Sequence, residues 1–116
     1  SRALALAEVS VHLSISALPG DYVMIEIDIP DRLSLMTISE NELGENWNGF
    51  PHSTETMKIG DAFIDKQESL SLRVPSAAVK GDHNILINPH HKEFKSVKIK
   101  CVSGFPIDKR LFKNDH

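Results

Sequence analysis

A carboxylate inside an apolar helical stripe is the first residue in this chain that could do chemistry. In Ala3-Leu4-Ala5-Leu6-Ala7-Glu8-Val9 the apolar residues continue through Val11, Leu13 and Ile15. At about 100° per residue, with Leu4 as zero, Glu8 falls at about 40°, Ile15 at about 20° and Val11 at about −20°. A buried, unpaired carboxylate costs several kcal/mol, so one placed here needs a partner or a ligand. Two readings stand together: a functional acid, or a carboxylate at the helix rim that pairs with His12 one turn on.

Other candidates carry weaker signals. Ser76 follows Pro75 at the end of an alternating strand, where a serine forms turns or caps as readily as it meets a substrate. No Gly-x-Ser-x-Gly elbow surrounds it, which argues against a serine hydrolase. Asn84 and Asn88 bracket Ile85-Leu86-Ile87, and each either braces a loop or faces a ligand. The six histidines (12, 52, 83, 90, 91 and 116) make no His-Glu-x-x-His helix and no Cys/His zinc pattern, so no metal site is expected. His90 and His91, being adjacent, read as solvated loop residues. Lys92, Lys95, Lys98 and Lys100 form either a modest anion-attracting face or the usual charged protection of an edge strand. No glycine-rich phosphate loop occurs, which removes the common nucleotide folds.

The elements that must position these residues follow from periodicity. Residues 1–18 read as a helix stopped by Leu18-Pro19-Gly20. Val23, Ile25, Ile27 and Ile29 alternate with Met24, Glu26 and Asp28 as a half-buried strand ended by Pro30. A weaker strand is expected within Leu33–Ile38, then a loop over Ser39–His52 with room for one helical turn. A helix capped near Ser53-Thr54 should bury Met57, Phe63 and Ile64, although Gly60 weakens it. Strands are expected at Leu70–Val74, Ile85–Ile87 and Val97–Cys101, the last with lysines on its wet face. This order predicts an α+β fold, a mostly antiparallel sheet with helices segregated from it.

Composition bounds the function. The chain has 116 residues, with 13 Lys+Arg against 16 Asp+Glu, a net charge of −3 and a sequence pI near 6.0. That balance excludes a broadly basic nucleic-acid footprint. The single cysteine, Cys101, excludes an internal disulfide framework. No apolar run approaches the roughly 20 residues that span a bilayer, and no signal peptide is visible, so a cytoplasmic protein is expected. The chain opens without methionine, already in a helical pattern, which suggests a processed start or a missing upstream segment.

Taken in order, the segments resemble the RES-domain toxins of bacterial toxin–antitoxin systems. The resemblance is carried by Ala3–Val9 with His12-Leu13, Leu18-Pro19-Gly20-Asp21-Tyr22, Glu26-Ile27-Asp28-Ile29-Pro30, Asn46-Trp47 and Ile59-Gly60-Asp61-Ala62-Phe63. It continues through Ser69–Val79, which contains Val74-Pro75-Ser76, then Asn84–His91 and Phe105–Leu111. The resemblance implies an ADP-ribosyltransferase-like α+β fold and NAD+ as a substrate rather than a resident cofactor. NAD+ would be consumed by hydrolysis, by phosphorolysis or by transfer of ADP-ribose to a target protein. It places the family's glutamate at Glu8 and its serine at Ser76, with Asn84 and Asn88 as candidates for binding the nucleotide or bracing its loops. It implies a cognate antitoxin that covers the active site, and no direct nucleic-acid or membrane partner. The family's arginine and a tyrosine belong to a segment of about forty residues ahead of the glutamate helix, so the resemblance implies that residues 1–116 form a RES-like domain lacking that segment. The alternative is a non-catalytic, truncated module that binds an antitoxin-like partner.

Overall fold

The computed structural model describes residues 1–12, 21–45, 47–48 and 54–105. The fold is α+β, with its strands in two small sheets. The chain divides into two compact units, Ser1–Asp28 with Ile99–His116, and Ile29–Lys98.

In the first unit, Ser1 starts helix α1 (Arg2–His12) as a cap: its Oγ accepts from the Leu4 amide at 3.1 Å, and its carbonyl accepts from Ala5 at 3.0 Å. Of the stripe, Leu4 is buried and Glu8 is half-buried one turn later, but Val11 is 65% exposed. The apolar face therefore fades toward the C-terminal end of the helix. Leu13, Ile15 and the Leu18-Pro19-Gly20 stop lie outside the described residues. Strand β1 (Val23–Asp28) pairs with the final strand, Lys98–Gly104. The pair is antiparallel, since the Phe105 amide donates to the Tyr22 carbonyl at one end while Lys100 reaches Glu26 further along. The Tyr22 and Phe105 rings meet edge to face at 6.3 Å. Alternation led us to expect Val23, Ile25 and Ile27 on the covered side of β1, yet they are 50, 50 and 40% exposed and Met24 is the half-buried residue. The start of α1 lies over Met24–Glu26, where Arg2 faces Glu26 at 3.9 Å, so helix placement rather than strand alternation selects the covered position.

The second unit is a three-stranded sheet built on its middle strand. Strand β2 (Leu35–Thr37) runs parallel to β3 (Ser71–Pro75), and β3 runs antiparallel to β4 (His83–Ile87). A parallel neighbour requires a long crossover. Here it consists of the one-turn helix α2 (Glu40–Leu43) and helix α3 (Thr54–Lys66). A reciprocal Ser39–Glu42 capping box starts α2, which accounts for the single turn expected in that loop. Met36, Leu72 and Leu86 share a row on the face toward α3, whereas Thr37, Arg73 and Ile85 share one on the other face. Leu70 and Leu72 are essentially unexposed, and Leu33, Leu43 and Phe63 complete the core. Each such side chain contributes about 1.5–3 kcal/mol by leaving water.

The covered side of α3 differs from the expected one. Phe63 is buried, but Met57 and Ile64 are 60 and 40% exposed. Ile59, Ala62, Phe63 and Lys66 face the sheet instead, a spacing of three, four and seven that uses the aliphatic stem of a lysine as apolar surface. Gly60 sits in open space and leaves the helix unbroken.

A 3-10 helix (Lys92–Ser96), absent from the sequence reading, follows β4 and is held from two sides. His91 is buried rather than solvated, because its Nδ1 accepts from the Glu93 amide at 3.0 Å and starts the helix. The Glu93 carboxylate then accepts from the Ser34 amide at 3.2 Å and from the Ser34 hydroxyl. Ser34 Oγ in turn accepts from the Leu70 amide at 2.9 Å, and the Ser34 carbonyl accepts from the Ser71 hydroxyl at 3.1 Å. One carboxylate thus ties the entrances of β2 and β3 to the segment after β4.

The Ser34 hydrogen bonds hold the Glu93 carboxyl below its ordinary value of 4.5, with His91 and Lys92 adding smaller effects in the same direction. A lowered folded-state value contributes stability that is fully present above about pH 4.5 and is lost as pH falls through the lower folded value. Glu93→Gln should therefore reduce stability at neutral pH and flatten the acid limb below pH 4.5. Urea midpoints measured across that range for both proteins test it, and parallel acid limbs would exclude the clasp.

Candidate functional site

Glu8 lies in the middle of α1, half-buried and interacting within the chain, among Leu4, Ala5, Leu6, Ala7 and Val9. The helix thus presents a carboxylate from a surface otherwise made of small and aliphatic side chains. The side chain of His12, the partner considered for Glu8, lies outside the described residues, as do His52 and His116.

Ser76 belongs to the second unit and is 3% exposed. Pro75 ends β3, and Ser76 opens a tight return to β4. Its amide donates to the Asp82 carbonyl at 2.8 Å, while its Oγ accepts from the amides of Ala78 at 3.1 Å and Val79 at 3.0 Å. Asp82 closes the turn on the Val79 carbonyl at 3.1 Å, and Gly81 supplies a positive φ of +89° that side-chain-bearing residues rarely adopt. The serine is a turn former, and its oxygen is fixed in direction by two backbone donors. An oxygen that already accepts two hydrogen bonds is a poor nucleophile and a good orienting group.

The two asparagines part company. Asn84 pairs with Val74 across the β3–β4 ladder, two residues before Ser76, and is half-buried. Alternation puts its side chain on the Val74 side of the sheet, at the Ser76 end of the hairpin. Asn88 stands at the other end, where its amide donates to the Leu70 carbonyl at 2.8 Å. The hairpin length between them is on the order of 20 Å, so one ribose cannot touch both Ser76 and Asn88. The Asn88 side chain has no exposed surface: Nδ2 donates to the Ile64 carbonyl at 3.3 Å and Oδ1 accepts from the His90 amide at 3.0 Å. Of the two roles weighed for it, bracing is the one its surroundings support.

Sequence reasoning passed over Ser34 and Glu93 and took His91 for a solvated residue, yet all three build this region. Ser34 and Glu93 anchor the strand entrances, and His91 caps the turn after Asn88-Pro89-His90. The visible signal was an acceptor-bearing residue two positions before Glu93, the pattern of a helix start. On the outer face of β3, Arg73 Nη2 lies 3.5 Å from His83 Nδ1. A groove of about 190 Å³ runs between α3 and β2, lined chiefly by Met36, Ile38, Ile59, Phe63 and Leu72, and does not include Ser76, Asn84 or Asn88. Among the described residues no group of three or more His, Cys, Asp or Glu could hold a metal ion, and no helix is long and apolar enough to cross a membrane.

The chain matches known proteins along most of its length. The family model of the RES domain matches residues 1–110. The chain is 33% identical to a protein named Toxin Res from Yersinia enterocolitica, covering 96% of this chain and 73% of the relative. It is 36% identical to a Toxin Res from Photorhabdus laumondii, covering 97% and 72%. It is 32% identical to a protein named Prs ADP-ribosylating toxin from a Sphingobium strain, covering 97% and 71%. The match takes in the α1 carboxylate, the β3–Ser76 turn and the Asn84–His91 segment alike, and the chain belongs to the RES-domain family.

Proposed function

We propose that this chain is the Glu8- and Ser76-bearing part of a toxin that consumes NAD+. The supporting observation is membership of a family in which one relative carries the name ADP-ribosylating toxin, together with a half-buried carboxylate at Glu8 and a direction-fixed hydroxyl at Ser76. The reaction breaks the bond between ribose C1′ and the nicotinamide nitrogen. The bonding pair leaves with nicotinamide, which becomes neutral, and positive charge develops on the ribose as an oxocarbenium-like state. Glu8 holds the ribose hydroxyls and stabilises that charge from an apolar helix surface, where a carboxylate acts more strongly than in water. Ser76 orients the nicotinamide ribose, and Asn84 lines the same end of the hairpin. Water, phosphate or a side chain of a target protein completes the reaction by bonding to C1′. A cognate antitoxin that covers this site is the expected protein partner.

Glu8→Gln keeps shape and removes the charge. In cells expressing the intact gene it should slow NAD+ loss by about 10²–10³-fold while leaving the protein's abundance unchanged. NAD+ loss at the original rate would sink the proposal. Ser76→Ala leaves two amides without their acceptor and should lower stability by about 1 kcal/mol, read from urea unfolding. Its effect on turnover should be smaller than that of Glu8→Gln, about tenfold, as expected for an orienting group. Ser76→Thr, which retains the acceptor oxygen, should recover most of the stability. Asn88→Ala should act on stability alone, costing about 1–3 kcal/mol, because it strips the Ile64 carbonyl and the His90 amide of their partner. A drop in turnover at unchanged stability would instead put Asn88 against the substrate.

A further inference from the structure

A cluster of positive charge lies outside the proposed site. Four of its 13 cationic side chains fall within residues 92–100, where Glu93 is the single acidic residue. Lys100 is already engaged with Glu26 at 3.7 Å. The other three, Lys92, Lys95 and Lys98, are exposed, and among the described residues none is paired with a carboxylate.

Four features set this ridge apart from scattered surface lysines. Glu93, the acid that could neutralise it, is turned inward and spends its carboxylate on Ser34. Lys92 and Lys95 are three residues apart in a 3-10 helix, where such positions eclipse, and Lys98 Nζ folds back onto the Lys95 carbonyl at 3.1 Å. Lys92 and Lys95 therefore leave the helix on one side, and the Lys98 ammonium lies against the Lys95 backbone. Phe94, between Lys92 and Lys95 in sequence and 40% exposed, adds an apolar surface beside the charge. The backbone beneath is pinned by the His91 cap and by the Glu93 clasp, so little ordering remains to be done on binding.

We propose that the Lys92–Lys95–Lys98 ridge around Phe94 is a docking surface for an acidic protein segment that also carries an aliphatic or aromatic side chain. The carboxylates would pair with the ammonium groups, and the apolar side chain would cover Phe94. A protein segment fits better than a nucleic acid for two reasons. Three lysines can neutralise only about three phosphates, and beyond the ridge a chain of net charge −3 repels an extended polyanion. The proposal is independent of the roles given to Glu8 and Ser76.

The probe is a fluorescein-labelled peptide of four Glu-Glu-Leu repeats, with binding read by anisotropy. A Gln-Gln-Leu counterpart and an oligothymidylate of similar length serve as alternatives. The acidic peptide should bind best, and its affinity should fall about tenfold between roughly 50 and 200 mM salt. The Lys92→Glu, Lys95→Glu, Lys98→Glu triple variant should bind at least about tenfold more weakly, with its thermal midpoint unchanged because all three side chains are exposed. Phe94→Ala should weaken binding about threefold without altering the salt dependence. Should the triple variant fail to fold, the three single Lys→Gln variants carry the test, each expected to weaken binding about twofold. Unchanged affinity in the charge variants, tighter binding of the Gln-Gln-Leu peptide or of oligothymidylate, or salt-sensitive self-association in place of peptide binding would each overturn the proposal.

Discussion

Strand β3 is the constraint on which the second unit depends. Leu70 and Leu72 have almost no exposed surface, and they can be buried so completely only because β3 has a strand on each side and α3 across one face. A parallel neighbour and an antiparallel neighbour impose different demands. The antiparallel one is reached through the short Ser76–Asp82 turn, while the parallel one needs a crossover through two helices. Loop closure over that crossover opposes β2–β3 pairing. The Ser34 hub offsets it locally, because its hydroxyl and carbonyl bond to Leu70 and Ser71 at the start of β3 and Glu93 bonds to Ser34 from beyond β4. The short β2 is thereby placed in register with β3 before its own three residues contribute much.

The same strand determines what Ser76 and Asn88 can each do. They occupy opposite ends of one hairpin, both buried, both bonded to backbone, and both next to a proline. Proline at each end stops the ladder, and a polar side chain then satisfies the backbone groups that the ladder leaves behind. Ser76 does so with its oxygen alone and stays at a turn; Asn88 does so with both ends of its amide and joins the sheet to α3. Polar residues of similar sequence setting thus serve different elements, one closing a turn and the other joining a sheet to a helix.

Much of the fold was legible in the residues. The Leu70–Val74 alternation located the central strand, Pro75 and Pro89 marked the hairpin's limits, and the Ser39–His52 loop left room for the single turn of α2. What periodicity could not supply was the direction from which another layer would arrive. Val23, Ile25 and Ile27 alternate cleanly, yet the start of α1 lies over Met24–Glu26 and leaves the aliphatic row exposed. Met57 and Ile64 are more apolar than Lys66, yet the covered face of α3 follows Ile59, Ala62, Phe63 and Lys66, which match the groove above Met36 and Leu72. His91 was obscured for a different reason: adjacent histidines read as a solvated loop unless the following residues are known to turn as a 3-10 helix, which makes the second one a cap.

The two candidate residues were legible to different degrees. Glu8 stood out because a charge interrupts an apolar run, a local anomaly visible without any partner. Ser76 did not, since serine after proline at a strand end is ordinary, and only the order of motifs along the chain drew attention to it. Its geometry explains this. An orienting hydroxyl needs no unusual neighbours, only a backbone turn tight enough to aim it, and the Ala78 and Val79 amides that do the aiming have no side-chain signature. A hydroxyl aimed by main chain is therefore hidden from residue-level reasoning in a way that a carboxylate within an apolar run is not, and it is the residue that family resemblance has to supply.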